Sequence, residues 1–374
     1  MNASLEKDKG KKRLSWLDFG KAAGILVVLL VHAECSLGPL TFYGGMFYMP
    51  VFFVAAGYTF RFQKEECYGD WLKKKAKRLL VPYFGVSAFL WLFFWVKDSL
   101  LAGNPGDLKW WSILGIFYSR NQMYANASKP LVLLDMLNAP LWFLTAMFLT
   151  YAWYGLISRS KRKYVFLLLG AAGSIVWHYS GGGTFFFLGG IGSMIGYYSQ
   201  GCLLPWSLEA VPYFACYFAA GEWFRQQKKE KMLGELWCLG MLTVVFLISA
   251  MLNGSMNLSN GNYGHSMLLG LAAGISGSFL VFGAGMFLER KAPAVMGVVS
   301  LVGQNTLTIL CFHMFLFMFI KTGASVLGLS AAVTKALLVL LSLVILTAAG
   351  CMVPKIFSQF RSRIFPFSSK NRSV

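Results

Sequence analysis

Residues 18–35 read DFGKAAGILVVLLVHAEC, and the reading of the whole chain follows from what this stretch can do. With its flanks it is long and apolar enough to cross a bilayer core as a helix, which takes about 20 residues. A helix turns about 100° per residue, so the fourteen steps from Asp18 to His32 return to within about 40° of the start. The eleven steps from Lys21 to His32 fall about 20° off. Asp18, Lys21, Ile25, Val28, His32 and Cys35 therefore share one stripe. At about 1.5 Å rise per residue, His32 stands about 21 Å above Asp18. Ionisable groups inside a span are costly and face a protein interior or a wet path. The plain reading of His32 is a packed, hydrogen-bonded histidine. The functional reading is a group that takes and returns a proton near neutral pH.

Composition extends this reading to the full chain. Of 374 residues, 57% are hydrophobic and 13% charged, more apolar surface than a soluble domain of this size carries. Repeated apolar runs of roughly 17 to 25 residues predict an all-α, polytopic integral membrane protein. The first run is read as a span because no small-residue cleavage site follows it. The seven cysteines are scattered, without metal-ligand spacing, and read as small apolar residues. A net charge of +19 would suit nucleic acid, but the basic residues fall in short clusters between apolar runs, which is the pattern of membrane topology.

Ten spans are predicted, at about 16–38, 44–61, 79–97, 141–157, one crossing within 164–200, then 206–224, 236–252, 265–288, 297–320 and 331–353. Residues 1–15 and 354–374 form basic tails, the first expected to be disordered, and the spans between them make one transmembrane domain. The segment 98–140 is too interrupted to span and is expected to lie on the outer surface, part of it as an amphipathic helix. Two apolar pieces, 164–179 and 184–199, flank a Gly-rich break at 180–183; the charge pattern favours one crossing plus a re-entrant or interfacial piece. Gly192 and Gly196 suit close helix packing. With this layout, 27 of the 34 Lys and Arg lie on one side, which places both termini in the cytoplasm of a cell-membrane protein.

Polar residues within the spans are few. His32 and Glu34 sit in the outer half of the first span, about 200° apart on a regular helix, so Glu34 orients His32 only if the helix unwinds ahead of Gly38-Pro39. His313 falls in the ninth span, His265 opens the eighth, and His178 lies near the Gly-rich break. No Ser/His/Asp order, HExxH, P-loop or metal-ligand cluster is present, so no metal is expected. The cluster Lys73, Lys74, Lys75, Lys77 and Arg78, together with Arg61, suits a phosphate-bearing ligand at the cytoplasmic face. Most of these lysines read as topology signals. Arg61 and Arg78, at the ends of adjacent spans, better fit a buried role.

The stretches LDFGKAAGILVVLLVHA, FYMPVFFVAAGYTF, KKAKRLLVPY, LWFLTAMFL, SLEAVPYFACYFAAGEWFR, NGNYGHSMLLGLAAG and VGQNTLTILCFH occur in this order. In that order and spacing the chain resembles the acyltransferase 3 family, in particular its fucose 4-O-acetylase-like branch. The resemblance implies transfer of an acyl group, expected to be acetyl, from cytoplasmic acyl-CoA to a hydroxyl of an extracytoplasmic sugar or glycan. It implies His32 as the essential catalytic residue, acting as general base on the acceptor hydroxyl or carrying the acyl group itself before handing it over, and the reading above adds Glu34. It places Asp18, Lys21 and Arg78 at the family's polar positions, so with Arg61 they are expected to bind the acyl-CoA. His313, Asn305 and Trp142, inside matching stretches, are expected to position substrate. Acyl-CoA enters as donor substrate, and no tightly bound cofactor is implied. The chain departs from the pattern at Tyr48, Ala56 and Gln304, where the branch often has His, Ser and Arg.

Two other classes fit the same residues. A sugar or amino-acid transporter would use intramembrane His and Glu for proton coupling, but no repeat in two halves is found. A non-catalytic partner of a polysaccharide assembly machine would keep its function in His32→Ala.

Overall fold

Helix α1 (Ser15–His32) is the axis of the protein. Its apolar residues surround the whole helix, so it is buried on most sides: Ile25, Val28 and Leu29 are inaccessible or nearly so. The computed structural model describes residues 13–63, 65–101, 111–120, 122–125, 130–134, 138–179, 198–199 and 204–364. The basic tails up to residue 12 and from 365, the Gly-rich break, Gly192 and Gly196 lie outside that set.

The chain continues through α2 (Pro39–Phe47), α3 (Pro50–Tyr58), α4 (Tyr68–Leu101) and α5 (Trp111–Tyr118). Then come α6 (Trp142–Ser158), α7 (Lys163–Tyr179), α8 (Val211–Gln227), the single turn α9 (Glu230–Leu233) and α10 (Leu236–Asn253). The last four are α11 (Met267–Lys291), α12 (Pro293–Gln304), α13 (Thr306–Val326) and α14 (Ala331–Ile364). Three short strands, Gln122–Ala125, Pro130–Leu134 and Tyr198–Ser199, pair antiparallel with the first in the middle. The protein is an all-α polytopic membrane protein. Among the described residues, eight helical segments are long and apolar enough to cross a membrane. The predicted fifth and sixth spans correspond to α7 and α8, of 17 residues each. Large apolar side chains stand exposed along the outer helices, as on Leu168, Leu169, Val244, Ile248 and Val344, where lipid tails replace water as solvent.

Hydrogen bonds sort the connections into two ends. At one end the basic clusters meet. Arg159 donates to the carbonyls of Gln63 (2.6 Å) and Glu66 (2.5 Å), Arg225 to that of Phe60, and Arg290 pairs with Glu235 (2.8 Å). At the other end Trp206 donates to Phe117 O (2.7 Å) and Arg120 to Ser259 O (3.0 Å). Helix α7 joins the two ends, running from Lys163, which pairs with Glu222 (3.2 Å), to Tyr179, whose hydroxyl accepts from Met267 N (3.2 Å). Helix α8 runs back from Ala210 to Arg225. Tyr179 and the start of α8 therefore lie at the same end of the protein, opposite Lys163 and Arg225.

Small residues let the helices meet. A Cβ on Gly57 would collide with the backbone of Phe218, and one on Gly221 with the carbonyl of Val54, so α3 and α8 touch backbone to backbone. Gly303 brings α12 equally close to the backbone of Asp18. In a bilayer, where tails are as apolar as leucine, such close approach is what holds helices together. Trp16 seals this region, edge-on to Tyr58 (4.9 Å between centroids) and Phe282 (5.5 Å).

Several boundaries differ from the sequence reading: α1 stops at His32, the second span is α2 and α3 from Pro39 to Tyr58, and α14 continues to Ile364 through the first part of the predicted tail 354–374. Helix α4 begins at Tyr68, so the basic run before residue 79 is helical and not a loop. The predicted ninth span, 297–320, is two helices broken at Asn305. Pro293 starts the first, and the Asn305 amide turns back to Leu301 O (2.8 Å) and to Cys351 Sγ (3.2 Å) instead of capping the second.

Candidate active site

A cavity of about 700 Å³ opens among α1, α3, α4, α6 and α13 at the basic end. Asp18, Lys21, Arg61 and Arg78, four residues from three separate stretches, all line it. So do Arg13 and Lys75, giving five cations against one carboxylate. Asp18 is buried in the first turn of α1, where a negative charge complements the helix dipole. It accepts from Arg13 Nε (2.8 Å) and pairs with Lys21 Nζ (2.5 Å), which fixes two cations at the mouth. Lys75 is held over the rings of Tyr151 (4.5 Å) and Trp71 (5.4 Å). Arg61 and Arg78, expected from the sequence to be buried, are instead exposed at the open mouth of the cavity and have no carboxylate partner among the described residues. Thr306 and Leu307 also line the wall, so the positive N-terminal end of α13 faces the same space. Deeper in, the lining turns apolar, with Ile25, Met49, Phe52, Phe143, Met147 and Leu310.

The stripe read on α1 is divided. Asp18, Lys21 and Ile25 face the cavity, while Val28 is buried in the core with 1% exposure. His32 is the last residue of α1 and lies above this dry layer, about 10 Å beyond Ile25. There it meets His313. His32 Nδ1 and His313 Nε2 are 3.0 Å apart, and the rings are 28° from coplanar with centroids 5.0 Å apart. His313 is completely buried and edge-on to Phe317 (5.6 Å); His32 is half-buried. The second ring nitrogen of His313, Nδ1, lies 2.9 Å from Ile309 O and 3.1 Å from Leu310 O in the preceding turn of its own helix.

Glu34 does not join the pair. Helix α1 ends in a Schellman turn, with Cys35 N donating to Leu30 O (2.9 Å) and Glu34 N to Val31 O (3.1 Å). Glu34 occupies the left-handed position of that turn (φ 56°), usually taken by glycine, and its side chain is exposed. Its carbonyl accepts from Lys335 Nζ (2.7 Å), and no hydrogen bond to His32 is found. The partner of His32 is His313, at its Nδ1, and Glu34 lies at the exposed surface.

Asn305 and Trp142 are also outside the cavity. Asn305 holds the break between α12 and α13, next to Thr306 on the wall. Trp142 is buried, with the guanidinium of Arg120 5.9 Å from its ring. Arg120 is itself buried, paired with Glu209 and donating to Leu258 O (3.2 Å) and Ser259 O (3.0 Å). Burial drives the Glu209 carboxyl up from the usual range, and Arg120 pulls it back down. This pair was not read from the sequence; an Arg in an outer segment carries no mark of its partner. Lys75 did carry a signal, its three-residue spacing from Arg78 once both are on a helix. His178 and His265 serve the far end, the first edge-on to Tyr263 (5.0 Å) and the second bonded through Nδ1 to Asn253 O (2.8 Å). Among the described residues, no three His, Cys, Asp or Glu side chains are grouped to hold a metal ion.

Fold and site thus define a multi-pass helical membrane protein with a cation-mouthed cavity and, beyond a dry layer, an imidazole pair of which His313 is buried and His32 half-buried. The family model of the acyltransferase domain, Acyl_transf_3, matches residues 14–355, and the chain belongs to that family. No curated protein and no solved structure matches the chain.

Proposed function

We propose that this membrane acyltransferase is an O-acyltransferase of the cell membrane, taking an acetyl group from cytoplasmic acyl-CoA and giving it to a hydroxyl of an extracytoplasmic sugar or glycan. The observation that carries the reading is the cavity: five cations at its mouth, an apolar interior, and a histidine pair beyond its deep end. Acyl-CoA has the matching polarity, with phosphates at one end and a thioester at the tip of a long, flexible arm. Arg61 and Arg78 suit the phosphates best, since neither is neutralised by a carboxylate and a guanidinium binds phosphate in a fork. Lys21, tied to Asp18, sets the position of the mouth.

In this reading His32 is the general base. The acceptor O–H bond breaks as an N–H bond forms on His32, and the oxygen attacks the thioester carbon. The C–S bond then breaks, and the proton returns from His32 to the departing thiolate. The basic end, where the Lys and Arg clusters meet, faces the cytoplasm by the positive-inside rule. The acceptor then approaches from the opposite side, where His32 keeps partial exposure.

The test uses purified protein in nanodiscs with radiolabelled acetyl-CoA, comparing wild type with His32→Ala. CoA release and label on added glycan by wild type, lost in the variant, are expected. If wild type neither binds nor turns over acetyl-CoA, the donor assignment fails, and substrate flux measurements for the transporter reading take its place.

A further inference from the structure

We infer that His313 is a positioning residue that fixes the tautomer of His32 and thereby makes Nε2 of His32 the reactive nitrogen. The argument needs only the donor and acceptor rules of the two rings. A backbone carbonyl accepts and never donates. His313 Nδ1 faces two of them, Ile309 O at 2.9 Å and Leu310 O at 3.1 Å, so the proton of a neutral His313 resides on Nδ1. Its Nε2 is then a bare lone pair. That lone pair faces His32 Nδ1 at 3.0 Å, so His32 donates from Nδ1. A neutral His32 with its proton on Nδ1 has an unprotonated Nε2. Two helix carbonyls therefore dictate, through two rings, which nitrogen of His32 is free to act as a base.

The same chain serves the charged state. When His32 takes a proton on Nε2, its Nδ1–H bond still ends on a lone pair of His313. The positive charge is met by an acceptor that is oriented by two carbonyl dipoles, and no proton has to leave His313. His313 thus occupies the orienting place that a carboxylate fills in many catalytic triads, without adding a buried charge to the membrane interior. The catalytic consequence rests on the O-acyltransferase reading; the tautomer assignment does not.

The two are tested separately. The chain has four histidines, so ¹⁵N-histidine labelling gives few signals, and the loss of one set in His32→Gln assigns His32. In nanodiscs near neutral pH, His32 is expected to show a protonated Nδ1 and an unprotonated Nε2. In His313→Leu it is expected to revert to Nε2–H, the tautomer favoured by histidine in water. In His313→Gln the side-chain carbonyl restores an acceptor, and Nδ1–H is expected to persist. For acetyl transfer, His313→Leu is expected to lower kcat by about 10²-fold or more, the scale of a lost general base, with KM for acyl-CoA nearly unchanged. His313→Gln is expected to recover most of that loss. A wild-type His32 protonated on Nε2 at rest, or one whose tautomer is the same in His313→Leu, overturns the inference whatever the acyl donor proves to be.

Discussion

His313 Nε2 lies 3.0 Å from His32 Nδ1, a contact between residues 281 positions apart in the chain. It fills the place where the neighbouring Glu34 would be sought. The distinction matters because a buried histidine orients its partner without a second ionised group, whereas a carboxylate at that depth would need its own compensation.

Glu34→Gln is therefore expected to leave kcat within about twofold of wild type, since exposed charges that touch no reacting group contribute little. His32→Gln, two residues away, is expected to abolish transfer. Steady-state kinetics on the two variants side by side check this, and a loss of similar size in both would return Glu34 to the site.

At the mouth, Arg61→Ala and Arg78→Ala should each raise KM for acyl-CoA about tenfold or more, as expected for a lost charge-assisted contact, with little change in kcat. Lys74→Ala provides the control. Lys74 belongs to the same basic run, but it is exposed, pairs with Glu66 at 2.6 Å and does not line the cavity. Equal effects from all three would mean that bulk surface charge, and not the cavity, attracts the donor.

Arg120→Leu strands the buried carboxylate of Glu209 and should cost about 3–5 kcal/mol of stability, whereas the double variant Arg120→Leu/Glu209→Leu recovers much of it. Thermal unfolding in detergent, followed by intrinsic fluorescence, measures both. A double variant no better than the single one would show that the carbonyls of Leu258 and Ser259, left without their donor, matter more than the ion pair.

Gly57→Leu and Gly221→Leu should fail to give folded protein, because each side chain would enter the backbone of the facing helix. Gly85→Leu is the contrast: a Cβ there meets nothing within 4 Å, and loss of helix-interior glycine favours the folded state. Yield after size-exclusion chromatography separates the two cases.

Much of the fold was legible because helix length and charge distribution are written locally. Helices lie along the predicted spans, the second and the ninth each in two pieces, and among the described residues the basic clusters after the second, fourth and sixth spans are bonded together at one end. The charged residues that line the cavity were legible for the same reason. Asp18 and Lys21 share a face of one helix, while Arg61 follows the end of α3 and Arg78 lies within the basic first turns of α4. What periodicity does not carry is which helix faces which. The bond between His32 and His313 and the pairing of Arg120 with Glu209 are tertiary facts. Likewise, the break at Asn305 sits in a run whose apolar character is nearly uninterrupted, so hydropathy alone joined α12 to α13. Val28 shows the limit of the stripe itself. It lies in line with Ile25 and His32, yet neighbouring helices close over it.

The backbone contact between α3 and α8 has a mechanical consequence. Those helices are locked as one body, so the cavity wall contributed by Phe52, Ala55 and Ala56 is stiff. The facing wall, with Thr306, Leu307 and Leu310, hangs from the interruption at Asn305, where the helical hydrogen-bond ladder is already open. The two walls of the chamber thus differ in how they are backed, and the less continuous one belongs to the helix that carries His313, so that a shift of that wall would be transmitted to the imidazole pair.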